Sequence, residues 1–186
     1  MERRKPTKDE LQSAVGKTIP DVIAPGLDVL FCGINPGLYS GATGCHFARP
    51  GNRFWPALFS SGITERLLSP FEQKELLRHG VGITNLVHRT TATADELTSA
   101  ELRSGGRNLE AKVKKYRPRF LAVLGIQAYE KAFLKPGVNV GLQAESLGYT
   151  QLWVLPNPSG LNAHYQAADF AKLFKALRRA GQRTAQ

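Results

Sequence analysis

Four short apolar runs, 27–33, 81–87, 119–125 and 151–155, divide this chain, and stretches with helical spacing fill the gaps between them. Runs that are apolar throughout, rather than alternating, mark strands buried on both faces, as in a parallel sheet with helices packed above and below. Helices are expected at 53–61 and 70–79, and at 107–116, where Leu109 and Val113 stand four apart and Pro118 closes the element. A further helix at 126–134 links the third run to the fourth. The last, at about 168–180, places Phe170, Leu173, Phe174 and Leu177 on one stripe, with Lys172, Lys175, Arg178 and Arg179 facing elsewhere. The motifs TADE (93–96) and TSAE (98–101) each have the form of a capping box, so a helix begins near one of them. The expected fold class is α/β.

A chain of 186 residues is long enough to bury one substantial core, and 42% hydrophobic content is that of a globular domain. The first 20 residues read as a basic, loose extension and residues 21–186 as a single domain. No run approaches the length of a membrane span, and the start MERRKPTKDELQ lacks the apolar centre of an export signal, so a cytoplasmic, bacterial-type protein is expected. Two cysteines, Cys32 and Cys45, are too few for a disulfide framework. His46, His79, His88 and His164 lie in no paired metal-ligand spacing, and no metal site is expected. Lys and Arg exceed Asp and Glu by ten, giving a charge of +10. The basic residues gather in ERRK near the start, KVKKYRPR at 112–119 and KLFKALRR at 172–179, and such an excess favours an anionic partner.

Two stretches share one design. FCGINPGLYS (31–40) and LWVLPNPSGL (152–161) each run from an apolar strand into Asn, Pro and Gly. In an open parallel sheet the loops at the carboxyl ends of strands form the ligand crevice. Both bends are therefore expected to line one crevice, with Asn35 and Asn157 projecting neutral amides that orient a water but cannot act as strong bases. Phe47 sits in the glycine-rich stretch GATGCHFARPGNRFW (41–55), where its ring either stacks on a flat ligand or anchors the loop to the core. Asp95, after the second run, serves either as a helix-start residue or as a carboxylate turned to the same crevice. Asn85 reads as a structural hydrogen-bonding residue and His164 as an exposed loop histidine.

GINPGL, a following Phe, NRFW and LPNPSGL, in that order, resemble the mismatch-specific uracil-DNA glycosylases, a branch of the superfamily that also holds the thymine-DNA glycosylases. The similarity runs from about residue 23 to 177. It implies a three-layer αβα fold with a four-stranded, mostly parallel sheet, and removal of uracil and related damaged pyrimidines, notably opposite guanine, from double-stranded DNA by a monomer without metal or cofactor. It places the water-positioning amide at Asn35 and the stacking ring at Phe47. The base pocket falls at Gly33, Ile34, Gly37 and Ser40, with Ser40 beside the 5-position of the base. The minor-groove loop falls at Asn157, Pro158, Ser159 and Gly160, and the wedge at Leu161. Such an enzyme must extrude its nucleotide from the duplex at a cost of a few kcal/mol, which a mismatch reduces. No lysine stands in either motif, so hydrolysis rather than a Schiff base is expected. Two other classes stay open. A Rossmann-like nucleotide-binding enzyme shares the α/β pattern but would need a G-x-G-x-x-G turn, and a non-catalytic DNA-binding module shares the charge but needs no pocket.

Overall fold

In the computed structural model, which describes residues 4–183, five strands form one sheet in the order β2-β1-β3-β5-β4. β1 (Val29–Gly33), β2 (Val81–Asn85), β3 (Phe120–Leu124) and β5 (Thr150–Leu155) correspond to the four apolar runs. They run parallel, β1 pairing with β2 and β3, and β3 with β5. Every residue of β1 and β3 is buried, so neither strand has a solvent face for alternation to mark.

The expected four-stranded sheet has a fifth member. β4 (Gly141–Leu147) pairs antiparallel with β5 through a two-residue loop, Gly148 and Tyr149, in which Gly148 takes φ +61. Glycine at the first loop position suits the twist of such a hairpin. β4 is an edge strand whose residues are exposed or half-buried, so no apolar run announces it. The sheet is mixed.

Helices cover both faces. On one, Phe31 of β1 stacks on Phe174 with ring centroids 5.1 Å apart and meets Phe54 edge-on at 5.2 Å. These rings belong to α3 (Phe54–Ser60), which follows the short α2 (Leu38–Thr43), and to α6 (Ala167–Arg183); α3 and α6 share that face with a 3-10 helix at Pro70–His79. Phe170, Phe174 and Leu177 of α6 are fully buried, each such side chain contributing about 1.5–3 kcal/mol of transfer free energy. On the other face, Leu30, Leu121 and Val154 pack under α4 (Ser99–Tyr116) and α5 (Ile126–Phe133).

α4 starts earlier than 107. Thr98 and Glu101 close its capping box, while Thr93 and Glu96 close another around the short 3-10 turn Ala94–Glu96, so both motifs are used. The helix runs through Gly105 and Gly106 because a Cβ at Gly105 would lie 2.3 Å from the Leu86 carbonyl oxygen, and one at Gly106 would lie 2.8 Å from that of Ala132. Absence of side chains there lets α4 press against the exit of β2 and against α5.

The N-terminal stretch also departs from expectation. α1 (Lys8–Gln12) is capped by Thr7, Ala14 and Ile19 are buried, and Thr90 exchanges backbone hydrogen bonds with Gly16 and Lys17. Val22 bridges to Ile83 beside β2. This segment lies against the ends of the strands instead of hanging loose. Glu2 and Arg3 of the first basic cluster lie outside the described residues. Among the described residues, no helix is long and apolar enough to cross a membrane.

Candidate active site

The connection from β1 leads to β2 on one side of it, while β3 lies on the other side, so the sheet order diverges at the carboxyl ends of β1 and β3. A crevice is expected at such a point. A cavity of about 850 Å³ opens there, and both Asn-Pro-Gly bends line it: Ile34, Asn35 and Gly37 from one, Asn157, Ser159 and Leu161 from the other. The start of α5 (Gly125–Gln127) and, from the N-terminal segment, Leu11 and Ile19 complete its wall.

Asn35 is held by its amide nitrogen. Nδ2 donates to Thr91 Oγ1 at 2.7 Å, to the Arg89 carbonyl at 3.0 Å and to the Pro36 carbonyl at 3.3 Å. The amide orientation follows from these acceptors, and Oδ1 is left as a hydrogen-bond acceptor on a half-buried residue at the cavity wall. The same bonds tie the turn after β1 to the 89–95 loop, as do the bridge between Gly37 and Thr91 and the Thr91 amide donating to the Pro36 carbonyl. Asp95, exposed on that loop, lines the cavity with Asn35. Thr93 caps the turn, so Asp95 is a first-turn residue and not the cap.

Phe47 takes φ +52, a left-handed conformation unusual for an aromatic residue, and strain of this kind gathers at functional sites. Its ring lines the cavity and is backed by Phe54, with centroids 4.2 Å apart. Phe54 therefore both anchors the loop and supports a ring that is still open to a ligand. Ser40 is buried, and its Oγ accepts from the Ala48 amide, which pins the same loop.

Gly33 does not line the cavity. A Cβ there would sit 2.5 Å from Asn85 Oδ1 and 3.2 Å from the Phe47 ring, so glycine makes room for two side chains that do line it. At Gly37 a Cβ would meet nothing within 4 Å. Pro158 and Gly160 of the second bend do not line the cavity. Asn157 is less free than expected: its Oδ1 accepts from the Ser159 amide at 3.1 Å, and its carbonyl accepts from Asn162 Nδ2. Arg53 fastens this bend by donating to the Ser159 and Asn162 carbonyls, each at 3.0 Å. Leu161 stands at the rim, 72% exposed.

The floor pairs Asn85, which the sequence marked as a structural hydrogen-bonding residue, with His46, for which the sequence signalled no role. His46, 2% exposed, places Nε2 at 3.0 Å from the Pro20 carbonyl, which requires the proton on Nε2. Nδ1 is then free to accept from Asn85 Nδ2 at 3.3 Å, and Asn85 Oδ1 turns towards Gly33. Burial pushes the imidazole below its ordinary pKa, against the opposing pull of the Pro20 carbonyl, so the ring stays neutral. The signal for Asn85 was its place at a strand end; His46 had only its neighbour Phe47.

The basic clusters lie mostly elsewhere. Lys112 donates to Asp21 and Thr84, and the remainder of 112–119 ends α4 and enters β3, at the amino ends of the parallel strands. No lysine is among the described residues that line the cavity.

A solution NMR structure of a "putative Uracil DNA glycosylase" from Methanosarcina acetivorans shares this fold with a TM-score of 0.57 at 18% identity, the match covering 88% of this chain and 99% of that one. The family described as the Uracil DNA glycosylase superfamily matches residues 20–179, a span that holds both bends and the cavity between them. The chain belongs to the Uracil DNA glycosylase superfamily.

Proposed function

We propose that this protein is a monofunctional DNA glycosylase that turns uracil, and related damaged pyrimidines, notably opposite guanine, out of duplex DNA and hydrolyses the N-glycosidic bond. The observation that carries this reading is the convergence of Asn35, Asp95 and Phe47 on one cavity with the Asn157–Leu161 bend at its rim.

In this account Leu161 enters the vacated stack as an apolar wedge while the bend follows the minor groove. The base slides over the open face of Phe47, and Asn35 Oδ1 holds a water beneath the anomeric carbon. Bond breaking sends the glycosidic electron pair to the base, whose anion is met by backbone N–H groups of the 34–37 turn. The water oxygen bonds to the anomeric carbon and its proton passes to the Asp95 carboxylate. Absence of lysine from the described lining supports hydrolysis over a Schiff base, leaving an intact abasic site. Ser40, a small side chain in the cavity lining, would influence which substituents at the 5-position of the base are accepted. The enzyme acts as a monomer.

Duplexes carrying one uracil opposite guanine or opposite adenine, incubated with the protein and then cleaved with alkali, test the reading. Strand breaks at uracil, faster opposite guanine, support it. No breaks, or a borohydride-trapped protein-DNA adduct, contradict it.

A further inference from the structure

The largest group of unpaired cations in KVKKYRPR faces away from the cavity. α4 ends at Lys114, Lys115 and Tyr116, and Arg117 follows at φ +50. The Arg117 guanidinium lies 5.3 Å from the ring centre of Tyr149, which stands 87% exposed at the tip of the β4–β5 hairpin. Lys115 lies 5.1 Å over the ring of Tyr116. Neither Lys114, Lys115 nor Arg117 joins an ion pair among the described residues. α6 ends nearby, since a side chain at Gly181 would come 3.9 Å from the Phe120 ring at the start of β3.

This pole and the cavity lie at opposite ends of the parallel strands. Strands of five or six residues span about 17–20 Å. Duplex DNA stays stiff over about 150 base pairs, so one short duplex seated across the cavity does not bend round to the far pole. The cations there serve a different contact. Cations interleaved with exposed aromatic rings suit unpaired bases, which offer a face for stacking while their phosphates meet the charge. Base-paired DNA offers no such faces.

We infer that the pole formed by Lys114, Lys115, Arg117 and Tyr149 binds single-stranded nucleic acid, separately from the cavity. A molecule holding an unpaired segment at one end and a duplex at the other stays near DNA that is partly opened. This inference does not depend on the reaction assigned to the cavity.

Anisotropy of a fluorescein-labelled 15-nucleotide oligothymidine, titrated with the full chain at several salt concentrations, reads the contact. The variant K114E/K115E/R117E is expected to bind at least about tenfold more weakly and to lower the slope of log affinity against log salt by about 2, three phosphate contacts at roughly 0.7 each. Tyr149→Ala, at an exposed tip where folding is unaffected, is expected to weaken binding without changing that slope. Wild-type affinity in both variants overturns the inference. So does loss of oligothymidine binding in Leu161→Ala alone, which would assign the strand to the cavity rim. Charge-dependent binding to phosphatidylserine vesicles with none to the oligonucleotide also overturns it, and assigns the pole to a membrane surface.

Discussion

Asn35 Nδ2 and Thr91 Oγ1 are 2.7 Å apart, and this bond joins the turn that follows β1 to the loop that carries Asp95. The amide thus has a structural half and a chemical half: nitrogen holds the loop, and the oxygen of this cavity-lining residue is left to accept a hydrogen bond. Asn35→Asp separates the two. A carboxylate at this position meets the Arg89 and Pro36 carbonyls with no hydrogen to donate, so urea unfolding should show a loss of about 1–3 kcal/mol. Unchanged stability would show that Nδ2 does not hold the loop.

Gly33 and Gly37 stand four residues apart and are required for different reasons. Gly33→Ala forces Asn85 or Phe47 to move and should cost about 1–3 kcal/mol in urea unfolding. Gly37→Ala has open space around the new methyl at an ordinary φ of −78 and should leave stability within about 0.5 kcal/mol while slowing uracil release. Equal destabilisation by both would contradict the packing described.

His46 makes stability depend on pH. Its pKa is depressed in the folded state by burial, so the unfolded chain binds the proton more readily. The stabilisation is complete above the unfolded value of about 6.5 and is lost as pH falls below it, at up to about 1.4 kcal/mol per pH unit for each such histidine. His88 is depressed in the same direction, by burial first and then by Lys112. Urea unfolding between pH 5 and 8 should show this fall, and His46→Gln should reduce its slope without abolishing it. A flat profile in the wild-type chain would contradict the depressed pKa of buried His46 and half-buried His88.

Asp95 has exposure and position but no hydrogen-bond partner among the described residues, and it is not the cap of its turn. Asp95→Asn should therefore leave the melting temperature unchanged and lower single-turnover uracil release by about 10²-fold or more. Full activity in this variant would remove the carboxylate from the mechanism.

The parallel core was legible because burial on both faces writes itself as mainly apolar runs without alternation. The helix start at Thr98 was legible through its capping box. β4 was not, since an edge strand with Leu142 more than half exposed carries little apolar signal, and only Gly148 marked the hairpin. Gly105 and Gly106 hid the first half of α4, because close approach of a helix to Leu86 and Ala132 looks in sequence like a helix breaker. Both Asn-Pro-Gly bends pointed to the crevice, but the partition of labour between them did not show. Asn35 keeps its oxygen free while Asn157 spends its own on the Ser159 amide. Long-range contacts, such as His46 with Pro20 and Asn85, leave no local pattern to read.

Single-turnover release of uracil from a G·U duplex by the wild-type chain and by Asn35→Ala bears most directly on the whole account. Site-specific strand breaks after alkali with the wild-type chain, and a rate at least about 10²-fold lower in a variant that remains folded, are the predicted result. Uracil release by Asn35→Ala at the wild-type rate would contradict it, because no other side chain has been given the attacking water to hold.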